Sequence, residues 1–405
     1  MNSVPRVAFL TDSYHEVNGV AQTSRHFESY AAHNNLPFLC VRAGESTRTG
    51  AIGTVRTLDL KRGPVSFTID RRQKHDLALW RYRRLLADSF RSFKPDLVHI
   101  TGPSDIGQLG AYVAHVMRIP LIASWHTELH KFAATRLEKL LSSGPAQVRC
   151  RLVRFAERRA LDALIRFYKI PRVILAPNRE IVEMLKRRTG KPVYLMRRGV
   201  DNDLFTPDRR QSNGPEFTPE FTFGYVGRLT PEKNVRLLVD VERALLAQGR
   251  AGFKFLIVGD GYERPWLERN LRNAEFTGIL TGEHLARAYA TMDLFLFPSH
   301  TDTFGNVVLE ALSSGVPVVV TADGGPKFLI EQGLTGAIAS DDRHFVERVV
   351  SLMGGGALHQ QMRKQARTFA CSQSWGAVFD SVYRAYVISL NKTRPAGLSA
   401  TAYAR

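Results

Sequence analysis

The segment from Ser299 to Leu312 places two carboxylates and a glycine where a predicted strand gives way to a predicted helix. A helix that begins at Asn306 directs its first backbone N–H groups at the preceding loop, and such groups bind anions. Gly305 allows a ligand to approach the backbone closely. Glu310 lies one turn into the helix and Asp302 lies on the loop, so hydroxyls on both sides of the anion can be bound. This arrangement suits a nucleotide sugar; the alternative is a structural turn that binds nothing.

Two further strand ends carry groups that could contact the same ligand. Arg228 and Lys233 follow a predicted strand, and two cations there can bracket a diphosphate. The alternative is that both are solvated basic residues. A short strand that ends in a glycine turn offers the backbone of Gly278, Ile279 and Leu280 to a nucleotide base. Tight turns of this kind are common, so this signal is weak.

The first half of the chain has two comparable positions. Asn18 and Gly19 lie at the start of the helix after the first strand, where a phosphate or a sugar can bind. His126 follows the predicted strand Pro120–Trp125, so its side chain is expected at the carboxyl edge of a sheet. A single histidine is more often structural than catalytic, and the sequence leaves both readings open.

Short β-branched runs alternate with amphipathic helical stretches along the whole chain, which predicts an α/β fold with two doubly wound parallel sheets. The proline-rich stretch Asn202–Glu220 predicts a link between them. We expect an N-terminal domain over 1–200, a donor-binding domain over 201–374, and a C-terminal helix over 375–390 that packs back on the first domain. Ligands of such sheets bind at the carboxyl ends of the strands, which predicts a cleft there.

The charge of the chain is unevenly distributed. The net charge is +18, and residues 1–200 hold the whole excess, with 34 basic and 16 acidic residues. An anionic partner is therefore expected for the first half: a membrane surface, a phosphorylated ligand or nucleic acid. No nucleic-acid-binding motif is present, which disfavours nucleic acid as the partner. The three isolated cysteines fit neither a disulfide framework nor a metal site, and no secretory signal or membrane span is found, so we expect a cytoplasmic protein.

The stretch Ala146–Arg172 predicts a basic amphipathic helix, because apolar residues recur at helical spacing and arginines line another face. Such a helix can lie on an anionic membrane, or it can be a core helix with a solvated face. The basic residues expected on the membrane or acceptor side are Arg149, Arg151, Arg154, Arg158 and Arg159.

Together these segments resemble the family-4 glycosyltransferases of the GT-B fold, and the resemblance spans nearly the whole chain. Its most specific feature is a pair of acidic residues separated by seven, Asp302 and Glu310, the second of which lies in the run Phe-Gly-Asn-Val-Val-Leu-Glu-Ala. The Arg198–Asp201 segment fits as well. The first acidic position is usually glutamate in the family. Here Asp302 is one methylene shorter, as in mannosyltransferase-like members.

The resemblance implies a role for each matching residue. Arg228 and Lys233 would hold the donor diphosphate, Glu310 would bind the nucleotide ribose, and Asp302 would contact the donor sugar. His126 would face the sugar near the reaction centre. The implied catalytic residues are His126, Asp302, Arg228 and Lys233. The implied donor contacts are Asn18, Gly19, Arg228, Lys233, Gly278, Ile279, Leu280, Asp302, Phe304, Gly305, Asn306, Val307 and Glu310.

The resemblance also implies a reaction. A hexose of the mannose or glucose type would pass, with retention of its anomeric configuration, from a GDP- or UDP-linked sugar to a lipid or glycan acceptor at the inner face of the membrane. Fixed cations and helix N–H groups would stabilise the leaving diphosphate, so neither a metal nor a cofactor is expected. The rival hypotheses are a GT-B epimerase or phosphorylase, and a non-catalytic anion- or membrane-binding protein on the same scaffold.

Overall fold

A computed structural model describes residues 4–16, 19–63, 67–70, 73–126, 146–210, 221–354 and 356–391. Asn18, one of the predicted donor contacts, lies outside the described residues. The chain divides into two compact units. The first comprises residues 1–196 and 379–405, and the second comprises residues 197–378.

The first unit is built on a mostly parallel sheet. Its strands are β1 (Val7–Thr11), β2 (Phe38–Gly44), β3 (Arg48–Ile52), β4 (Val55–Lys61), β7 (Leu97–Ile100), β8 (Leu121–Ser124), β9 (Val173–Ala176) and β10 (Val193–Leu195), and a separate antiparallel pair is formed by β5 (Phe67–Asp70) and β6 (Gln73–His75). The eight-stranded sheet has the order β10-β9-β8-β7-β1-β2-β4-β3, and only β3 and β4 pair antiparallel. Its helices are α1 (Gly19–His33), α2 (Arg83–Phe93), α3 (Asp105–Val116), α4 (Ala146–Tyr168) and α5 (Arg179–Thr189).

The second unit contains an entirely parallel six-stranded sheet. Its strands are β11 (Phe221–Val226), β12 (Phe253–Val258), β13 (Ala274–Gly278), β14 (Leu294–Phe297), β15 (Val318–Thr321) and β16 (Gly336–Ala339), in the order β13-β12-β11-β14-β15-β16. Its helices are α6 (Leu237–Ala247), α7 (Arg264–Asn270), α8 (Gly282–Thr291), α9 (Asn306–Ser313), α10 (Asp342–Leu352) and α11 (Ala357–Cys371). The final helix, α12 (Trp375–Asn391), begins in this unit and ends in the first.

These strands form because their sequences are continuous apolar runs. In β8, β9, β14 and β15 every residue is buried, as expected for a parallel sheet covered by helices on both faces. The two sheets confirm the predicted α/β class with two parallel-sheet domains. The predicted strands and helices fall within a few residues of the observed ones. Strands β2 and β16 and the hairpin of β3 and β4 were not predicted; all of β3 is exposed and lacks an apolar pattern.

The proline-rich stretch after residue 201 is partly built into the second unit. The Phe205 side chain is buried, and its carbonyl oxygen accepts hydrogen bonds from Ser313 Oγ at 2.7 Å and from the Arg367 guanidinium at 2.8 Å. Residues 202–210 are therefore part of the second unit's packing, and residues 211–220 lie outside the described ranges.

An aromatic cluster in the first unit surrounds a buried histidine. The Phe27 ring stacks on Phe379 of α12 at 4.4 Å between centroids. His99 on β7 lies 2.5 Å through Nδ1 from the Tyr386 hydroxyl and 2.5 Å through Nε2 from Ser124 Oγ. Burial lowers the pKa of His99 from 6.5 to about 3, so the ring stays neutral inside the cluster. The end of α12 is thereby part of the first unit's core.

The neutral, buried state of His99 predicts acid-sensitive stability. Its folded-state pKa of about 3 lies below 6.5, so between these values the unfolded chain binds a proton that the folded chain does not. Its contribution is fully present above pH 6.5 and is lost as the pH falls. At pH 5 we expect a loss of about 2 kcal/mol relative to pH 7.5, from ~1.4 kcal/mol per pH unit. Urea unfolding of the wild type and His99→Gln at both pH values measures the difference.

The matched control is His33→Gln, which replaces an exposed histidine at the end of α1 in the same unit. This control should keep the wild-type pH dependence. In His99→Gln, the difference in the free energy of unfolding between pH 7.5 and pH 5 should be smaller by about 2 kcal/mol. The same pH dependence in wild type and His99→Gln would show that His99 does not carry the effect.

Candidate active site

The strand order of the second unit reverses between β11 and β14. Successive strands run outward from β11 to β13 on one side, and the chain then crosses back to β14 on the other side. In open parallel sheets, ligands bind outside the carboxyl ends of the strands at such a reversal. The Arg228–Lys233 segment leaves the end of β11, and the Ser299–Gly305 loop leaves the end of β14. The topology therefore brings together the two segments with the strongest chemical signals in the sequence.

Lys233 and Asp302 form an ion pair at this position. Lys233 Nζ lies 2.7 Å from Asp302 Oδ1 and 2.6 Å from Oδ2, and both side chains are largely buried. Burial alone would raise the pKa of Asp302, but the attraction and hydrogen bonds of the Lys233 ammonium outweigh it, with a smaller contribution from Arg228. The pKa of Asp302 is therefore below its ordinary value, and the carboxylate stays ionised.

Arg228 lies at the start of the same segment. The Tyr225 hydroxyl donates a hydrogen bond of 2.9 Å to the Arg228 carbonyl oxygen, which fixes the backbone where β11 ends. The guanidinium is partly exposed and lies 3.9 Å from the Glu232 carboxylate. The guanidinium therefore lies at the edge of the site, where Arg guanidinium donors can bind phosphate.

The loop before α9 is closely packed against a second glycine-rich turn. Gly305 has a positive φ of 92° and precedes α9 without a side-chain cap. The Gly325 N–H donates to the Asp302 carbonyl oxygen at 2.7 Å, and a Cβ on Gly325 would lie only 1.8 Å from the Thr303 carbonyl oxygen. Only glycine permits this approach. The turn at 324–325 therefore supports the loop that carries Asp302.

Glu310 is buried inside α9, where its carboxylate accepts a hydrogen bond of 2.9 Å from the Tyr289 hydroxyl on α8. Burial, followed by the nearby Glu310 charge, raises the pKa of Tyr289 well above its ordinary value, so the hydroxyl remains a donor. Tyr289 was not predicted from the sequence. The available signal was a large polar aromatic among the small buried residues Ala286, Ala288 and Ala290.

The remaining predicted donor contacts are distributed over both units. Phe304 is buried, and Asn306 and Val307 form the half-buried start of α9. Gly278 ends β13 with a φ of 72°, and Ile279 and Leu280 follow it, with Ile279 exposed.

In the first unit, Gly19 begins α1 and His126 is a half-buried residue just beyond β8. The strand order of this unit also reverses, between β1 and β7. Thr101 Oγ there donates to Asp12 Oδ1 at 3.2 Å. Asp12 was not among the predicted site residues, although it lies directly after the first strand.

Helix α4 is buried in one part and exposed in another. Its C-terminal half is a core helix, since Ile165 and Tyr168 are buried. Its N-terminal half is exposed: Leu152 is 47% and Phe155 is 59% accessible. Of the predicted basic residues Arg149, Arg151, Arg154, Arg158 and Arg159, the first is half-buried and the others are exposed.

Comparison with known proteins identifies the family. Residues 38–204 match the model for Glycosyltransferase Family 4, and residues 220–354 match the model for Glycosyl transferases group 1. A GDP-mannose-dependent alpha-mannosyltransferase from Mycobacterium tuberculosis is 31% identical over 307 residues, which cover 74% of either chain. The chain belongs to glycosyltransferase family 4. A protein of the same description from Corynebacterium glutamicum is 27% identical over 95% of this chain and 87% of its own.

The glycosyltransferase also resembles solved structures. Sucrose-phosphate synthase from Thermosynechococcus elongatus aligns with a TM-score of 0.70 over 96% of this chain and 99% of its own, at 19% identity, which confirms the GT-B fold. Among the described residues, no helix is long and apolar enough to cross a bilayer. No group of three metal-ligating side chains is found within the same ranges.

The geometry predicts that the glycosyltransferase depends on both Lys233 and Glu310. Lys233→Ala removes the ammonium beside Asp302, and Glu310→Ala removes the carboxylate held by Tyr289. If these groups contact the donor, each variant should lower the rate of glycosyl transfer by about 100-fold or more, the scale for losing a preorganised polar group. Steady-state transfer assays measure the effect, and circular dichroism checks the fold.

Lys364→Ala is the matched control, because it removes an exposed lysine on α11 of the same unit. It should retain wild-type activity. Activity close to wild type in either site variant would show that the corresponding residue has no role in transfer.

Proposed function

We propose that this glycosyltransferase transfers mannose from GDP-mannose, with retention of the anomeric configuration, to a lipid or glycan acceptor. The observation that carries the proposal is the Lys233–Asp302 pair beside the start of α9, at the strand reversal of a dinucleotide-binding type of sheet. Two relatives that match most of the chain are described as GDP-mannose-dependent alpha-mannosyltransferases, which supports this donor. Retention is proposed from the family resemblance.

The donor diphosphate would bind among Lys233, Arg228 and the start of α9. An ammonium has three N–H donors, and Asp302 accepts two hydrogen bonds from Lys233, so a third donor can reach a phosphate oxygen. The positive end of the α9 dipole adds to the attraction. As the glycosidic bond breaks, negative charge develops on the leaving nucleoside diphosphate, and these fixed groups stabilise that charge where it forms.

The nucleoside would lie along α9 and the end of β13. Glu310 would accept hydrogen bonds from the ribose hydroxyls through a carboxylate that Tyr289 holds in one orientation. The backbone after Gly278 would contact the base. Asp302, anchored through both oxygens, would orient the sugar hydroxyls, and His126 of the first unit is proposed to act on the sugar as well.

A panel of nucleotides and donors tests the proposal. We expect GDP to raise the melting temperature more than UDP or ADP does, because a ligand stabilises only the state that binds it. GDP-mannose should be consumed faster than GDP-glucose, UDP-glucose or UDP-N-acetylglucosamine. Proton NMR of the product should show the α-anomer, which is the anomer in GDP-α-mannose.

Each rival hypothesis predicts a different result from the same panel. Turnover that requires inorganic phosphate would indicate a phosphorylase, and release of a free epimerised sugar without acceptor would indicate an epimerase. Binding of anions without consumption of any donor would indicate a non-catalytic protein. A larger shift with UDP and faster use of UDP-glucose would contradict the proposed donor while leaving hexosyl transfer intact.

We propose that the exposed half of α4 contacts an anionic membrane surface on the acceptor side. Leu152 and Phe155 are exposed on this segment, and the Arg159 guanidinium lies 5.3 Å from the centre of the Phe155 ring. Apolar side chains next to arginines suit the boundary between lipid headgroups and acyl chains. The concentration of positive charge in residues 1–200 would attract the same surface.

Vesicle sedimentation tests this contact. The triple variant Arg151→Gln, Arg154→Gln, Arg158→Gln should bind vesicles of phosphatidylcholine with 30% phosphatidylglycerol about 100-fold more weakly, at ~1 kcal/mol per basic residue. Added salt should weaken binding of the wild type. The control removes three exposed arginines of the second unit (Arg243, Arg250 and Arg269) and should bind like the wild type. Equal binding by both triple variants would contradict a role for α4.

A further inference from the structure

His300 connects three segments of the second unit beside the Lys233–Asp302 pair. Its Nδ1 lies 2.8 Å from Asp323 Oδ2, in the loop after β15, and its Nε2 lies 3.2 Å from Asp342 Oδ1, at the start of α10. The Asn234 amide donates to the same Asp342 oxygen at 3.0 Å and lies 3.2 Å from the imidazole. A neutral imidazole donates from one ring nitrogen and accepts at the other, whereas an imidazolium can donate to a carboxylate from each.

These contacts connect the two segments that carry the ion pair. Asn234 directly follows Lys233 and has a positive φ of 52°, which ends the turn that presents the lysine. His300 lies two residues before Asp302 on the opposite segment. Asp342 contacts both Asn234 and His300, so its carboxylate bridges the lysine turn and the aspartate loop.

Two other hydrogen bonds hold the Ser299–Gly305 loop in place. Thr321 Oγ donates to the Ser299 carbonyl oxygen at 2.8 Å, and the Gly325 N–H donates to the Asp302 carbonyl oxygen at 2.7 Å. Both bonds tie the loop to β15 and the turn after it. The contacts of Asp342 with His300 and with Asn234 also reach the lysine turn, as does the hydrogen bond of 3.4 Å from Thr301 Oγ to the Glu232 carbonyl oxygen.

We propose that His300 is a positioning residue, which sets the distance between the Lys233 turn and the loop of Asp302 by bridging Asp342 and Asp323. The inference rests on the proposed role of Lys233 and Asp302 in donor binding. In this proposal His300 contacts neither the diphosphate nor the sugar. It acts by keeping the Asp302 loop and the lysine turn in one arrangement, so that binding the donor requires less ordering of the loop.

The exposure of His300, Asp323 and Asp342 determines which measurement will detect the loss of the bridge between them. His300 is 36%, Asp323 is 66% and Asp342 is 51% exposed at the side chain. Partly exposed ion pairs contribute little to global stability. Loss of the bridge should therefore leave the melting temperature nearly unchanged while it loosens the loop locally.

The experiment compares His300→Ala, His300→Arg and the control His33→Ala in the full chain. For His300→Ala we expect a Kd for GDP and a KM for the sugar donor about fivefold above wild type, the scale of a small ion-pair network. Hydrogen exchange of residues 299–305 should become faster. His300→Arg should restore the wild-type values, because a guanidinium has enough donors for both carboxylates. His33→Ala should match the wild type in every measurement.

Two further results separate this inference from the proposed function. A double-mutant cycle of His300→Ala with Asp342→Asn should be non-additive in the Kd for GDP, since both changes break the same bridge. Additive effects, or wild-type binding and exchange in His300→Ala, would overturn the role of His300 while GDP binding by the wild type upholds the donor site. Failure of the wild type to bind any nucleoside diphosphate would instead overturn the proposed function. Failure of His300→Arg to restore binding would show that bridging is not what His300 supplies.

Discussion

The reversal of strand order between β11 and β14 is the constraint on which the candidate site depends. Because neighbouring strands lie about 4.8 Å apart, segments that leave these two strands must meet at one edge of the sheet. Lys233 and Asp302 are far apart in sequence, yet the ammonium and the carboxylate are in contact. The ion pair follows from the topology, and the low pKa of Asp302 follows from the ion pair.

Close backbone packing fixes the positions of the loops that leave these strands. A Cβ on Gly259 would lie 1.9 Å from the Gly227 carbonyl oxygen, and a Cβ on Gly325 would lie 1.8 Å from the Thr303 carbonyl oxygen. Glycines at these turns let the loops approach each other without side chains between them. Donor binding is thus proposed to rely on backbone shape as much as on charge, and larger residues at these turns would separate the loops.

Much of the fold could be predicted from the sequence, because buried parallel strands are continuous apolar runs and α9 starts directly after a glycine. Lys233, Asp302 and Glu310 were identified because each follows such a run at a recognisable spacing. Tyr289 and His300 were not, since their partners come from other segments of the chain. Their importance is visible only once tertiary structure brings those segments together. For α4, apolar spacing could not separate a core helix from a surface helix, and the structure shows both in one element.

Helix α12 has a consequence for the order in which the protein folds. The ribosome releases β1 to β10 first, but the aromatic cluster of the first unit also needs Phe379 and Tyr386 from near the end of the chain. The second unit is therefore fully synthesised before the first unit can complete its core. During translation, the rings of Phe27 and His99 lack these partners, so nascent chains would expose apolar surface until α12 has been synthesised. A fragment of residues 1–196 would remain in that incomplete state permanently.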